Sequence, residues 1–330
     1  MKKFIVFFMA VMAMFATTVK AQTSLIATLN HEGVISTFYG NNALQQAYAV
    51  AVDGDVINLS SGTFQATNIT KAITIRGAGM ALDAKNQTEP TILVNAFTIE
   101  IPDATTQRLT IEGIYTNESI NIAKLKNALF LKNRFKVISV GQDSEYAGKD
   151  LTFIHCKIAG QYQAPAYNNN SASFQNCIVA VAAGNNYSFK NCILKGGVYS
   201  DEASHCNQSE YKNCIFVKSQ AASTESTYYN NLYIKDRDFT GIPNNTNIRV
   251  DENNAAIKNL LNYSDDNDYK LTEEAKALIK GTDGTEVGIY GGNLPFDPTP
   301  TNPQISKFNV AAKTTADGKL SVDIEVKSAE

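Results

Sequence analysis

The sequence predicts an all-β solenoid, and three observations predict it. A short phrase recurs six times across residues 130–233: large apolar, two residues, Asn or Cys, one residue, large apolar. Its fourth position falls at Asn133, Cys156, Cys177, Cys192, Cys214 and Asn231, in steps of 23, 21, 15, 22 and 17 residues. Alternating segments such as Ile73-Thr-Ile-Arg76, closed by Gly77, precede the repeat and read as strands. A unit this short cannot bury its apolar face alone, so successive units stack as coils around a shared core. The uneven steps mean that loops of different length leave each coil.

The chain has 330 residues, a net charge of −3 and 44% hydrophobic residues, enough apolar material for a large core. So small a charge gives no electrostatic case for binding nucleic acid or an anionic membrane. Trp is absent, which argues mildly against a dedicated carbohydrate-binding module, while the 15 Tyr can do the same stacking job.

Taken in order, the chain opens with Lys2 and Lys3, an apolar run at residues 4–16, and Val19-Lys20-Ala21. This reads as a signal peptide, residues 1–21, cleaved before Gln22; the run is too short for a spanning helix. The mature chain is therefore expected to be exported and to lack a membrane span. Its location is periplasmic, cell-surface or extracellular, and the character of the signal is bacterial. No Cys precedes Cys156, which excludes a lipid-modified N-terminus.

Leu44, Ala47, Tyr48 and Ala51 recur at helical spacing, with Asn42 placed to cap. Asp53-Gly54-Asp55 stops that helix. Val56-Ile-Asn-Leu59 is a strand, and residues 60–64 turn the chain again. In this order, Ala43-Leu-Gln-Gln-Ala47, Gly54-Asp-Val-Ile-Asn-Leu59, Gly62-Thr-Phe64 and Ile73-Thr-Ile-Arg-Gly77 resemble the opening of the pectin-lyase-like superfamily. The resemblance implies a right-handed parallel β-helix with an N-terminal helical cap. It is specific for fold, covers residues 43–79 and says little about reaction.

Towards the C-terminus, Thr272 caps a second helix, with Glu273 and Glu274 in its first turn and Gly281 after its end. Leu271, Ala275, Leu278 and Ile279 are expected to dock on the final coils. The Gly281-Thr-Asp-Gly-Thr-Glu-Val-Gly-Ile-Tyr-Gly-Gly292 phrase resembles the one that closes many secreted β-helix proteins. Residues 22–293 are thus the β-helix domain. Residues 294–303 hold four prolines and read as a stiff linker. Residues 304–330 form a short β appendage: Leu320, Val322, Ile324 and Val326 alternate, and Asp317-Gly318 supplies a hairpin turn.

Five Cys in an exported chain suggest disulfides or metal. Four of them, however, share one slot with Asn133 and Asn231. We read an inward structural ladder, Asn bonding by its amide and Cys serving as a small hydrophobe. The residues after the ladder, Ile178, Ile193, Ile215 and Leu232, should face outward by alternation and require a cover. Cys206 lies outside the row, in an Asp201-Glu-Ala-Ser-His205-Cys206 loop.

The resemblance also implies candidate chemistry. Polysaccharide lyases on this fold use a Lys or Arg base with acidic groups that hold calcium or neutralise a uronate. Lys190, Lys212, Lys132 and Arg134 are the candidate bases, and Asp143, Glu145, Lys149 and Asp150 the candidate ligand-binding group. Asp265, Asp266 and Asp268 resemble a calcium loop loosely, without the Gly and distal Glu of an EF-hand. No cofactor is expected, calcium aside. The favoured expectation is a monomeric β-helix that binds polysaccharide or a surface partner without catalysis. The alternative is a lyase or glycoside hydrolase acting on an acidic glycan.

Overall fold

The computed structural model describes residues 25–327 apart from 84–87, 102–105, 143–145, 166–168, 197–204, 218–224, 234–245, 250–268, 302–303, 311–312 and 316. The chain is a right-handed parallel β-solenoid. It starts with two antiparallel strands, β1 (Ile26–His31) and β2 (Val34–Tyr39), and helix α1 (Ala43–Val50). Helix α1 buries Ala43, Leu44, Ala47 and Tyr48 over the first coil and so closes the apolar end of the rod. Asn42 stands at its N-cap, but its side chain makes no capping bond. Strand β3 (Val56–Leu59) pairs antiparallel with β1 and parallel with Thr74–Arg76, which begins the solenoid. The expected turn over residues 60–64 is shorter, because Gly62–Gln65 is already a strand of the second ladder.

One ladder carries an inward column of Ile57, Ile75, Ile111, Phe130, Phe153, Phe174, Phe189, Tyr211 and Tyr228. Strands of a parallel ladder lie about 4.8 Å apart, so aromatic rings in one slot stack face to face. The six rings from Phe130 to Tyr228 do so, with centroids 4.7–4.9 Å apart and planes within 9°. After each aromatic strand the chain makes a tight turn and enters the second ladder.

The ladder slot sits just beyond that turn. Asn133, Cys156, Cys177, Cys192, Cys214 and Asn231 are all fully buried, and all five cysteines are free. Each side chain reaches back to a carbonyl one coil earlier. Asn133 Nδ2 donates to Ile111 O at 2.7 Å, and Asn231 Nδ2 to Tyr211 O at 3.0 Å. The thiols of Cys156, Cys177, Cys192 and Cys214 approach the carbonyls of Phe130, Phe153, Phe174 and Phe189 at 3.2–3.4 Å. Asn247 extends the row by one rung, bonding Tyr228 O and Asn231. No aromatic stands three residues before Asn247, so the sequence phrase does not reach it. Ile114, in register with Asn133, occupies the slot one coil earlier.

Beyond the last described coil, helix α2 (Glu273–Leu278) is capped by Thr272 Oγ1, which accepts from Ala275 N at 3.3 Å. Leu271, Ala275 and Ile279 are buried, but Leu278 is 44% exposed and faces away from the rod. Strands Gln304–Val310 and Val322–Lys327 form the expected antiparallel hairpin. On it Val322, Ile324 and Val326 are exposed. Among the described residues, no helix is long and apolar enough to cross a membrane.

Candidate functional site

Two features of the coils place side chains where they can act: the residue that makes each tight turn, and the outer face of the aromatic ladder.

The turn residue immediately precedes the ladder slot. Gly113, Lys132, His155, Asn176, Asn191, Asn213 and Asn230 all have φ between 49° and 66°. This left-handed region is open to Gly and tolerated by Asn, which explains the Lys-Asn-Cys wording of the repeat. Side chains in this column point off the rod and meet the segment after α2. Asn230 Nδ2 donates to Lys280 O, and Asn213 Oδ1 accepts from Thr282 N, each at 2.8 Å. Asn176 Nδ2 donates to the carbonyls of Ile289 and Gly291, both at 2.8 Å. His155 Nε2 lies 3.0 Å from Leu294 O. Lys132 Nζ lies 2.9 Å from Asp297 Oδ2 and 2.5 Å from Thr299 O. At the far end Glu112 Oε1 accepts from Thr301 N at 2.7 Å. Residues 280–301 therefore run back along the rod as a strap bonded to most of the coils it crosses; Asn191, whose buried amide has no hydrogen-bond partner among the described residues, packs against Gly291 and Gly292 instead. The stretch expected as a stiff linker bonds to the coils through Leu294, Asp297, Thr299 and Thr301. The strap and α2 also bury the outward stripe, with Tyr269, Leu271, Ala275, Ile279, Val287 and Ile289 over Ile178, Ile193, Ile215 and Leu232.

The outer face of the aromatic ladder holds a groove of about 620 Å³. Its floor is a column in register, Thr152, Ser173, Ser188, Glu210 and Thr227, each the residue before an aromatic. Its wall comes from residues three before each aromatic: Asn127, Asp150, Ser171, Asn186, Gln208 and Glu225. All of these except Ser171 have φ between 51° and 62°, so a second tight turn aims each coil's polar side chain the same way. Local bonds fix several of them. Ser171 Oγ accepts from Asp150 N at 2.7 Å and lies 3.0 Å from Asp150 Oδ1. Gln208 Nε2 donates to Glu225 Oε2 at 2.9 Å. The lining offers hydroxyls, amides and the exposed carboxylates of Asp150, Glu210 and Glu225; among the described residues no Lys, Arg or His lines it.

The candidate bases do not converge. Lys190 and Lys212 are neighbours in register on the groove's ladder, two residues beyond its floor. Partial burial opposes ionisation of the strap's Asp283, but hydrogen bonds from Thr285 outweigh it, with a smaller contribution from the Lys190 ammonium, and hold the carboxyl below its usual range. Lys132 is buried under the strap. Arg134 stands on the second ladder with its guanidinium 4.7 Å from the Tyr115 ring, at a recess of about 130 Å³. Of the candidate ligand group, Asp150 lines the groove, and the Lys149 ammonium lies 6.0 Å from the Tyr146 ring. Asp143, Glu145, Asp265, Asp266 and Asp268 lie outside the described residues. Among the residues that are described, no three His, Cys, Asp or Glu gather at metal-binding distance.

Cys206 is not in a solvated loop. It lies in strand His205–Asn207, is fully buried, and its thiol is pushed up to about 12 by burial. Burial likewise raises the thiols of Cys177, Cys192 and Cys214, so these cysteines are core groups rather than nucleophiles. Sequence reasoning missed the groove because it followed the ladder slot. The signal was there: a polar residue recurs one and three places before every aromatic from Phe153 onwards. No protein-family model, curated protein or solved structure matches this chain.

Proposed function

We propose that this protein is an exported bacterial β-helix that binds an extended polysaccharide in the groove of the aromatic ladder, without catalysis. The observation that carries the reading is the in-register polar floor from Thr152 to Thr227, flanked by turn residues that repeat the same presentation coil after coil. A linear polymer of hydroxylated units fits such a surface, because each unit meets the same donors and acceptors. The three carboxylates of the groove are all exposed, so none has the dry, apolar surroundings that raise a carboxyl to serve as a general acid. The resemblance of residues 43–79 to pectin-lyase-like proteins supports a glycan as ligand, although fold alone does not assign function. In this reading residues 1–21 are removed on export, residues 22–293 are the binding rod, and residues 304–330 form a separate appendage. The mature chain is a monomer.

The test is incubation of the purified mature chain with a panel of polysaccharides, with and without calcium. Retention of the protein in polysaccharide-loaded gels without product release is the expected result. Ultraviolet absorbance from unsaturated uronide would overturn the non-catalytic reading and establish a lyase.

A further inference from the structure

Resting on the reading of the groove as a glycan site, we infer that its ligand is an uncharged linear glycan and that chains bearing uronate or sulfate groups are excluded. The lining decides the sign. Asp150, Glu210 and Glu225 bring three carboxylates to one groove, and among the described residues it contains no cation to pair with an acidic sugar. A polyanion would set like charges side by side along the same face. The lysines of that ladder flank the groove without lining it: Lys190 and Lys212 stand two residues beyond the floor, and Lys126 and Lys149 one residue before the wall residues Asn127 and Asp150. Carboxylates and Ser or Thr hydroxyls are, by contrast, good partners for neutral sugars. A carboxylate accepts from sugar hydroxyls, and a hydroxyl both donates and accepts.

The spacing sets the polymer's direction. Coils repeat every ~4.8 Å, close to the length of one pyranose unit in an extended chain. A glycan lying along the rod axis therefore meets one floor residue per sugar. The floor from Thr152 to Thr227 spans four steps, about 19 Å. Ser173 and Ser188 occupy its second and third positions, with Glu210 next.

The experiment measures binding of the full mature chain to neutral polymers (xylan, mannan, mixed-linkage glucan) and to acidic ones (polygalacturonate, alginate, chondroitin sulfate). The double variant Ser173→Val, Ser188→Val removes two floor hydroxyls while keeping β-favouring side chains on half-buried, outward-facing strand positions, so the rod still folds. The expected result is retention by at least one neutral polymer and by no acidic one. The double variant should then bind that polymer about tenfold more weakly, with an unchanged melting temperature, and Glu210→Gln should also bind it less well. Acidic polymers that bind the wild type and are lost in the double variant would overturn the charge assignment while leaving the groove as the site. Neutral binding that the double variant leaves intact would overturn the groove as the site. A chain that binds no polymer of either class would overturn both the glycan reading and this inference.

Discussion

At the residue scale, one slot does the same work with two kinds of side chain. Asn133 holds two backbone groups of the preceding coil, the Ile114 N–H at 2.9 Å and the Ile111 carbonyl at 2.7 Å, in a site without water access. Removing it strands both. Asn133→Ala should cost about 2–4 kcal/mol in urea unfolding, because each orphaned buried polar group carries its own desolvation penalty. Cys177 meets the same two backbone groups through a softer atom, its Sγ accepting from Cys156 N at 3.3 Å and reaching Phe153 O at 3.4 Å. Sulfur is a weak acceptor and donor, so Cys177→Ala should cost less, about 1–2 kcal/mol, from a small cavity and the weakly held Cys156 N–H. Equal costs would mean that the ladder is packing alone. The slot was legible in the sequence because Asn and Cys recur there at a fixed offset from an aromatic. The residue before it was legible only in part: Asn recurs at 176, 191, 213 and 230, where it suits the left-handed backbone, but Lys132 and His155 share that backbone without sharing its chemistry.

At the element scale, the strap is the unexpected component. The Gly-rich phrase that precedes the prolines is shaped by close approach. A Cβ at Gly288 would lie 2.5 Å from Ile215 Cδ1, and one at Gly291 would lie 1.8 Å from Glu286 O. Gly291→Val should lift the strap, lower stability by about 2 kcal/mol or more, and increase binding of a hydrophobic dye as Ile178, Ile193 and Ile215 lose their cover. Leu278→Ser, on the exposed side of α2, should change stability by less than about 0.5 kcal/mol. Similar losses in the two variants would refute the strap as the covering element. The strap is also sensitive to acid. Burial holds the His155 imidazole below its ordinary value, outweighing the carbonyl of Leu294, with Lys132 and Asp297 nearby in opposition. A depressed folded-state value means that the neutral ring is the stabilising form. Its contribution is complete above the unfolded value of about 6.5 and is lost as pH falls below it. His31, bonded to Asp55, has the opposite sign, so the comparison must be with a variant that retains His31. Between about pH 7.5 and pH 5, the wild type should lose more melting temperature than His155→Asn, whose Asn suits the left-handed turn. Parallel pH curves for the two proteins would show that His155 does not titrate against the strap.

At the scale of the whole molecule, the solenoid itself is written locally. Apolar phrases of six residues, Gly punctuation and a capping helix are signals between near neighbours, and stacking is the only way such coils bury their inner faces. The sequence by itself therefore determined the class of fold, the inward ladder, the terminal hairpin and the need for a cover over Ile178, Ile193, Ile215 and Leu232. Only the tertiary structure decided what the cover is, because Asn176 meets Ile289 and Gly291 across 113 and 115 residues and Glu112 meets Thr301 across 189. Contacts at that separation depend on how many residues each loop spends between coils, and the uneven steps of the repeat hide that register. The groove was decided the same way. Asp150, Ser188, Glu210 and Glu225 share only a polar character one or three places before an aromatic, a pattern too loose to mark a site along the chain. They become one surface because parallel strands in register place one residue from every coil in the same line, about 4.8 Å from the last.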